Sequence, residues 1–130
     1  MSILIAEDNP LNMEIMTEIL EEKGILVTPA ENGKEALDLF TKSGNNQYDA
    51  ILMDIQMPIM NGYEAAKSIR ASLHPDADNI RIIAVSADAF AQDIEKALEA
   101  GMDSHIAKPV EYELLFRELQ KTKEKLLKTV

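Results

Sequence analysis

Residues 50–62 read AILMDIQMPIMNG. Ala50–Met53 is an apolar run too short for a helix and uninterrupted by polar residues, which is the pattern of a strand covered on both faces. It stops on an acid, Asp54. Pro58 and Asn61-Gly62 mark the next stretch as a loop, and a helix is expected near Tyr63–Ser72. Strand, acidic end, loop and helix make one unit, and similar units recur on either side.

Toward the N-terminus, Ser2–Ala6 (SILIA) is a β-branched run ending on Glu7-Asp8. Asn9-Pro10 then opens a helix with proline at a tolerated first-turn position. Leu11, Ile15, Ile19, Met16 and Leu20 supply its apolar stripe, and Gly24 stops it. Ile25–Val27 reads as a second strand. Asn32-Gly33 opens a helix whose buried face would be Ala36, Leu37 and Phe40, and Ser43–Gln47 is a loop. Toward the C-terminus, His74–Asn79 is a polar connection. Arg81–Val85 is a fourth strand ending at Ser86, and Ala89–Ala100 is helical with Gly101 as its cap. Ser104–Ala107 is a fifth strand ending at Lys108-Pro109. Glu111–Lys128 is the last helix, and Lys121, Lys123, Lys125 and Lys128 suit its C-terminal end. Five strands alternating with five helices predict an α/β sandwich with an all-parallel sheet and helices on both faces. No repeat or boundary divides residues 1–130, which are expected to form one domain.

Composition narrows the chemistry. The chain has 130 residues, 46% hydrophobic and 28% charged, and no cysteine, which excludes disulfides, a thiolate nucleophile and Cys-ligated zinc. His74 and His105 are too few for a histidine-rich metal centre. The net charge of −10 opposes direct binding to nucleic acid. With no apolar run of membrane-spanning length and no signal peptide, membrane insertion is not expected and a cytoplasmic or cytosol-facing location is.

The strand ends carry the polar residues: Glu7-Asp8, Asp54, Ser86 and Lys108. In a parallel sheet these ends share one edge, where doubly wound folds place their ligand sites. Three carboxylates brought together require a cation to stay ionised. An oxygen-only donor set suits a hard ion, and Mg²⁺ is the natural choice. A hydroxyl and a lysine beside it could hold phosphoryl oxygens, so the set suits in-line phosphoryl transfer to an aspartate.

The motifs ILIAEDNPLN, ILMDIQMPIMNGYE, IIAVSADA and GMDSHIAKPV, in that order over essentially the whole chain, resemble the receiver domain of two-component response regulators. The resemblance implies a flavodoxin-like sheet of order 2-1-3-4-5 sandwiched by five helices. It implies Asp54 as phosphoacceptor and Asp8 as Mg²⁺ ligand, with Glu7 helping through water and the Gln56 backbone carbonyl as a further ligand. Ser86 would be the switch hydroxyl and Lys108 the lysine that pairs with the phosphoryl group. Pro109 would follow a cis peptide bond. The implied partner is a sensor histidine kinase or histidine phosphotransfer domain, docking on a rim that includes Leu11 and Val110. Dimerisation through the fourth and fifth helices occurs in such a family, but nothing in this sequence specifies it. EDNPLN with DSHIAKP is closest in pattern to receivers of hybrid sensor kinases and phosphorelays. Three residues depart from the commoner pattern. Glu7 stands where Asp is usual, Ser86 where Thr is frequent, and His105 where many receivers carry an inward-turning Tyr or Phe.

Plainer readings stand beside these. Asp54 could cap a turn, Glu7-Asp8 could complement a helix dipole, and Lys108 could be a surface lysine. His105 reads as a partly exposed edge-strand histidine rather than a ligand or base. Asp88 could border the site or cap a helix. Met57 and Met60 could face a partner or fill gaps. A phosphorylation-independent adaptor would be expected to lose an acid or the lysine. A Mg²⁺-dependent aspartyl phosphatase would normally carry a second carboxylate where Gln56 stands. A P-loop fails because Thr28 stands where its first glycine is needed. The expected role is therefore a signalling switch that catalyses only its own modification, either standing alone or forming part of a longer protein.

Overall fold

The computed structural model describes residues 1–87 and 91–128, with side chains described as far as Thr122. Strands and helices alternate: β1 (Ser2–Ala6), α1 (Pro10–Glu22), β2 (Leu26–Ala30), α2 (Gly33–Thr41), β3 (Ala50–Asp54), α3 (Gly62–Ala71), β4 (Arg81–Ser86), α4 (Ala91–Glu99), β5 (Ser104–Ala107) and α5 (Tyr112–Lys128). The strands pair in parallel in the order β2-β1-β3-β4-β5, the order implied by the family resemblance.

Strand periodicity assigns the two faces. Leu4, Ala6, Ile51, Met53, Ile82 and Ala84 point into a core shared with Phe40 of α2, Ala65, Ala66 and Ile69 of α3 and Ala97 of α4. Their neighbours Ile3, Ile5, Leu52, Ile83, Val85 and Ile106 point into a second core with Met16 and Leu20 of α1 and Leu115 and Leu119 of α5. Both faces are covered, so the central strands read as continuous apolar runs without polar alternation.

Two expectations change. The second strand begins and ends later than Ile25–Val27. The Ile25 N–H returns to Leu20 O at 3.1 Å as part of the turn that ends α1 through Gly24 at φ +80°. Pro29 does not end the strand, because β2 is an edge whose outer side needs no N–H donor. The expected stripe of α1 is also divided. Met16 and Leu20 are buried, whereas Leu11 is 63% and Ile15 42% exposed near the helix start. The helix start overhangs the sheet edge instead of lying on it. The first residues of the expected fourth helix, and Asp88 with them, lie outside the described residues.

The sheet edge formed by the N-terminal ends of the strands is tied by long-range polar contacts. Arg70, at the end of α3, donates to the carbonyls of Gly101, Ala77 and Ile80 at 2.9, 3.0 and 2.6 Å and pairs with Asp103 at 3.0 Å. His74, read as part of a polar connection, is an anchor: its ring packs on Phe40 at 4.5 Å between centroids, and Nδ1 accepts from the Asp76 N–H at 3.0 Å. On the other face, Arg81 pairs with Glu118 of α5 and donates to its carbonyl at 3.0 Å.

Burial pushes the Glu118 carboxyl up, but hydrogen bonds from Lys121 and Ser104 and the Arg81 charge outweigh it and hold the group below the usual carboxylate range. A depressed folded-state pKa contributes stability that is present above the unfolded value and lost as pH falls through the folded one. Glu118→Gln should therefore lower the free energy of unfolding at pH 7 by about 1 kcal/mol. The difference from the parent chain should shrink below about pH 4, as urea titrations at the two pH values would measure.

Candidate functional site

The C-terminal ends of β1, β3, β4 and β5 bring the predicted polar residues to one edge. Asp54 is the last residue of β3 and Ser86 the last of β4, with Asp54 in register with Val85 and Ser86 with Ala107. Glu7 and Asp8 follow β1, and the Glu7 N–H is fixed to Ala30 O at 3.0 Å. Carboxylate oxygens of Glu7, Asp8 and Asp54 all lie within 4.8 Å of one another. Asp54 and Glu7 are buried at 5% and 4% exposure, while Asp8 is open to solvent.

Lys108 reaches across the group. Its Nζ donates to Asp54 Oδ2 at 2.9 Å and to Glu7 Oε1 at 3.2 Å. Burial disfavours the charged ammonium, but the Asp54 hydrogen bond and the charges of Asp54 and Glu7 prevail, so its pKa lies above the ordinary lysine value. The lysine stays charged throughout the neutral range. The Lys108 N–H is held by Ser86 O at 2.8 Å, and the Lys108–Pro109 peptide is cis. Among the described residues, the Lys108 ammonium pairs with two of the three carboxyl groups. Like charges 4 Å apart repel by about 4 kcal/mol even at an effective dielectric constant of 20, so the cluster favours a further cation. The donors are all oxygen and fit a hard divalent ion.

Asp54 is positioned by its own loop. Its Oδ1 accepts the Gln56 N–H at 3.2 Å, and the Gly62 N–H returns to Ile55 O at 2.9 Å. Two glycines permit this fold-back. A Cβ on Gly62 would stand 2.4 Å from the Asp54 carbonyl oxygen, and one on Gly33 would stand 2.4 Å from Met60 O. Between them Ile59 takes φ +70° while 81% exposed. A β-branched residue in that region costs about 1–2 kcal/mol.

A cavity of about 220 Å³ is lined by Glu7, Asp8, Asp54, Gln56, Ser86 and Lys108, with Asn9, Asn12 and Ala87. The sequence-predicted residues thus converge, and Ser86 is buried at the cavity wall. Two contacts that hold Glu7 escaped the sequence reading. Asn12 Nδ2 donates to Glu7 Oε1 and the Asn9 N–H to Glu7 Oε2, both at 3.4 Å. The signal was present in EDNPLN, where the second asparagine falls on the first turn of α1, facing the acid it holds. Asn9 Oδ1 also caps that turn, accepting from Leu11 and Asn12 N–H at 2.9 and 3.1 Å.

His105 sits on β5, half-buried, and lines none of these walls; its Nε2 is enclosed without a hydrogen-bond partner. Val110 does border the site. With Ile15, Met16, Pro109 and Tyr112 it lines an apolar cavity of about 510 Å³ that also reaches Glu7 and Lys108. Met57 and Met60 pack partly buried against the α2–α3–α4 core, so gap-filling describes them better than a free surface.

The comparisons agree with this geometry. The family model of the response regulator receiver domain matches residues 3–120, and the chain belongs to that family. It is a receiver domain of the two-component and phosphorelay type. Hybrid signal transduction histidine kinase I of Dictyostelium discoideum is 44% identical over 116 residues, which is 88% of this chain but 7% of that protein. The chain therefore spans only a small part of such relatives. Among solved structures, the receiver domain of a sensor histidine kinase from Pseudomonas aeruginosa is 38% identical with a TM-score of 0.82, covering 92% of this chain and 94% of that one. That structure carries a magnesium ion coordinated in its active site cleft. The Ssk1 receiver of Saccharomyces cerevisiae, crystallised with the histidine phosphotransfer protein Ypd1, is 31% identical with a TM-score of 0.80, covering 92% and 86% of the two chains.

The fold-back of the Asp54 loop leaves no room at Gly62, where the obstructing atoms are backbone. Gly62→Ala should lower the free energy of unfolding by about 2–4 kcal/mol. Gly44→Ala, where the nearest atom is a side-chain oxygen at 3.7 Å, should change it by about 0.5 kcal/mol or less. Denaturant titration of the two variants checks the contrast.

Proposed function

We propose that Asp54 is the phosphoacceptor of this receiver and that the domain comprises residues 1–130. The observation that carries this reading is the Lys108 ammonium at 2.9 Å from a buried Asp54 carboxylate that also lies among two further acids. One Asp54 oxygen would attack the phosphorus of a phosphohistidine, the P–N bond would break, and the imidazole would leave. Lys108 would exchange part of its hold on Asp54 and Glu7 for a phosphoryl oxygen. The Ser86 hydroxyl, at the wall of the same cavity, would take another. The backbone N–H of Gln56 keeps the acceptor carboxylate oriented throughout.

Asp8, Asp54 and the Gln56 carbonyl would hold a magnesium ion directly, with Glu7 acting through water. When bound, the ion would supply charge neutralisation and polarise a phosphoryl oxygen. The magnesium in the related Pseudomonas receiver supports that donor set. Glu7 is buried, engaged by Asn12 and paired with Lys108, which suits an indirect role better than direct ligation.

The partner would be a sensor histidine kinase or a histidine phosphotransfer protein, and the Ssk1–Ypd1 complex supports the latter. Leu11 and Ile15, exposed on α1, and Val110 would form the docking rim. The domain would modify only itself and turn over no external substrate. No described helix is long and apolar enough to cross a membrane. As the acceptor from a histidine kinase or phosphotransfer protein, the domain would work on the cytoplasmic side. Retention of Asp8, Asp54 and Lys108 disfavours a phosphorylation-independent adaptor. A phosphatase lacks its second acid, because Gln56 stands there.

Intact mass after incubation with a phosphorylated histidine phosphotransfer protein and Mg²⁺ tests the acceptor. One added phosphoryl group is expected, absent in Asp54→Asn and without the metal; labelling that persists in Asp54→Asn would refute it. Leu11→Ala should slow transfer from that protein by about three- to tenfold, as for loss of an exposed apolar anchor. An unchanged rate would remove Leu11 from the rim.

A further inference from the structure

The sheet edge opposite the acidic cluster holds a cavity of about 240 Å³. Asn46, Tyr48 and Asp49 line it from the loop before β3, and Asp76, Asn79 and Ile80 line it from the loop before β4. The length of β3, about 17 Å, separates it from Asp54. Both acids are half-buried and fixed by backbone. Asp49 Oδ2 accepts the Ser2 N–H at 2.8 Å, and Asp76 Oδ2 accepts the Asn46 N–H at 2.7 Å. Among the described residues neither acid pairs with a lysine or arginine, and the second oxygen of each accepts no hydrogen bond. His74 Nδ1 lies 3.9 Å from Asp76 Oδ2 but accepts the Asp76 N–H, so it brings that carboxylate no proton. Tyr48 adds an unused polar group. It is 6% exposed, and its ring belongs to the core that contains Phe40 and Ile80. Its hydroxyl has no hydrogen-bond partner among the described residues. A buried phenol normally has one.

We infer that this cavity is a second ligand site, for a primary ammonium carried on a short alkyl chain. The inference is independent of the role of Asp54. An ammonium has three donors and no acceptor. The cavity offers it the converse, a free oxygen on each of two carboxylates and the phenol oxygen of Tyr48. Two acids without a cation exclude an anionic ligand, and the net charge of −10 draws cations to the chain. The Tyr48 ring and Ile80 form a wall that suits methylenes rather than the hydration shell of a metal ion. Both carboxylates already have their direction set by the backbone, so little ordering remains to oppose binding. The same group is carried by a free alkylamine and by the lysine side chain of another protein.

The test is a titration of the ¹⁵N-labelled chain with n-butylammonium chloride at fixed ionic strength and with Mg²⁺ present, followed by amide NMR shifts. Saturable shifts are expected at Tyr48, Asp49, Asp76 and Asn79, and none with n-butanol, which lacks the charge. A parallel titration with Nα-acetyl-lysine amide separates the sources. Binding of butylammonium alone assigns a free amine, and equal binding of both admits a lysine side chain. Asp49→Asn and Asp76→Asn keep the oxygen that accepts the backbone N–H but lose the charge, so the fold should survive. Each should weaken binding by about three- to tenfold, and Tyr48→Phe by about threefold. Absence of saturable shifts, or equal shifts from potassium chloride, would overturn the inference and leave the cavity to water. Shifts confined to Glu7, Asp8 and Asp54 would overturn it as well, as would binding unchanged in both aspartate variants.

Discussion

The Lys108 ammonium, held between Asp54 and Glu7, is the contact that makes the rest of this sheet edge possible. Without it, two buried carboxylates would face each other and an exposed third across less than 5 Å. Such a group would not stay together on electrostatic grounds. The lysine comes from the end of β5 and the acids from β1 and β3, so the contact depends on the strand order. With β4 between β3 and β5, Ser86 is placed beside the same cavity and its carbonyl holds the lysine's own N–H. The topology and the charge cluster thus require each other.

Most of the fold was legible because each central strand is a short apolar run bounded by turn-forming residues. Parallel strands buried on both faces leave little ambiguity between strand and loop. The failures came where one residue type serves two purposes. The strand expected over Ile25–Val27 stops short of Pro29, yet an outer strand tolerates a proline. Leu11 and Ile15 carry the helical period of a buried stripe, yet they lie beyond the sheet edge where α1 overhangs the site. Sequence periodicity reports which residues share a face, not how far the neighbouring layer extends.

The site was legible for a different reason: polar and charged residues ending apolar runs are conspicuous. Glu7, Asp8, Asp54, Ser86 and Lys108 announced themselves in this way. Asn12 did not, because its place in EDNPLN gains meaning only once the helix turn sets it against the Glu7 carboxylate. His74 was hidden for a similar cause. Its setting, between Leu73 and Pro75, looks like exposed loop, and only the three-dimensional return of that loop onto Phe40 buries the ring. Contacts between loops distant in sequence have no periodic signature.

The tight seat of the Asp54 loop has a further consequence. With Gly62 backing directly onto the Asp54 carbonyl and Ile55 Cα, the main chain at the proposed acceptor has almost no freedom to recoil when its side chain gains a bulky dianion. Displacement must be taken up by whatever surrounds the new group. Ser86 heads the segment that leads toward α4, a helix whose buried residue is a single small alanine, Ala97. Were Asp54 to take up a phosphoryl group, a rigid pedestal beside so lightly anchored a helix would leave α4, rather than the acceptor backbone, to yield.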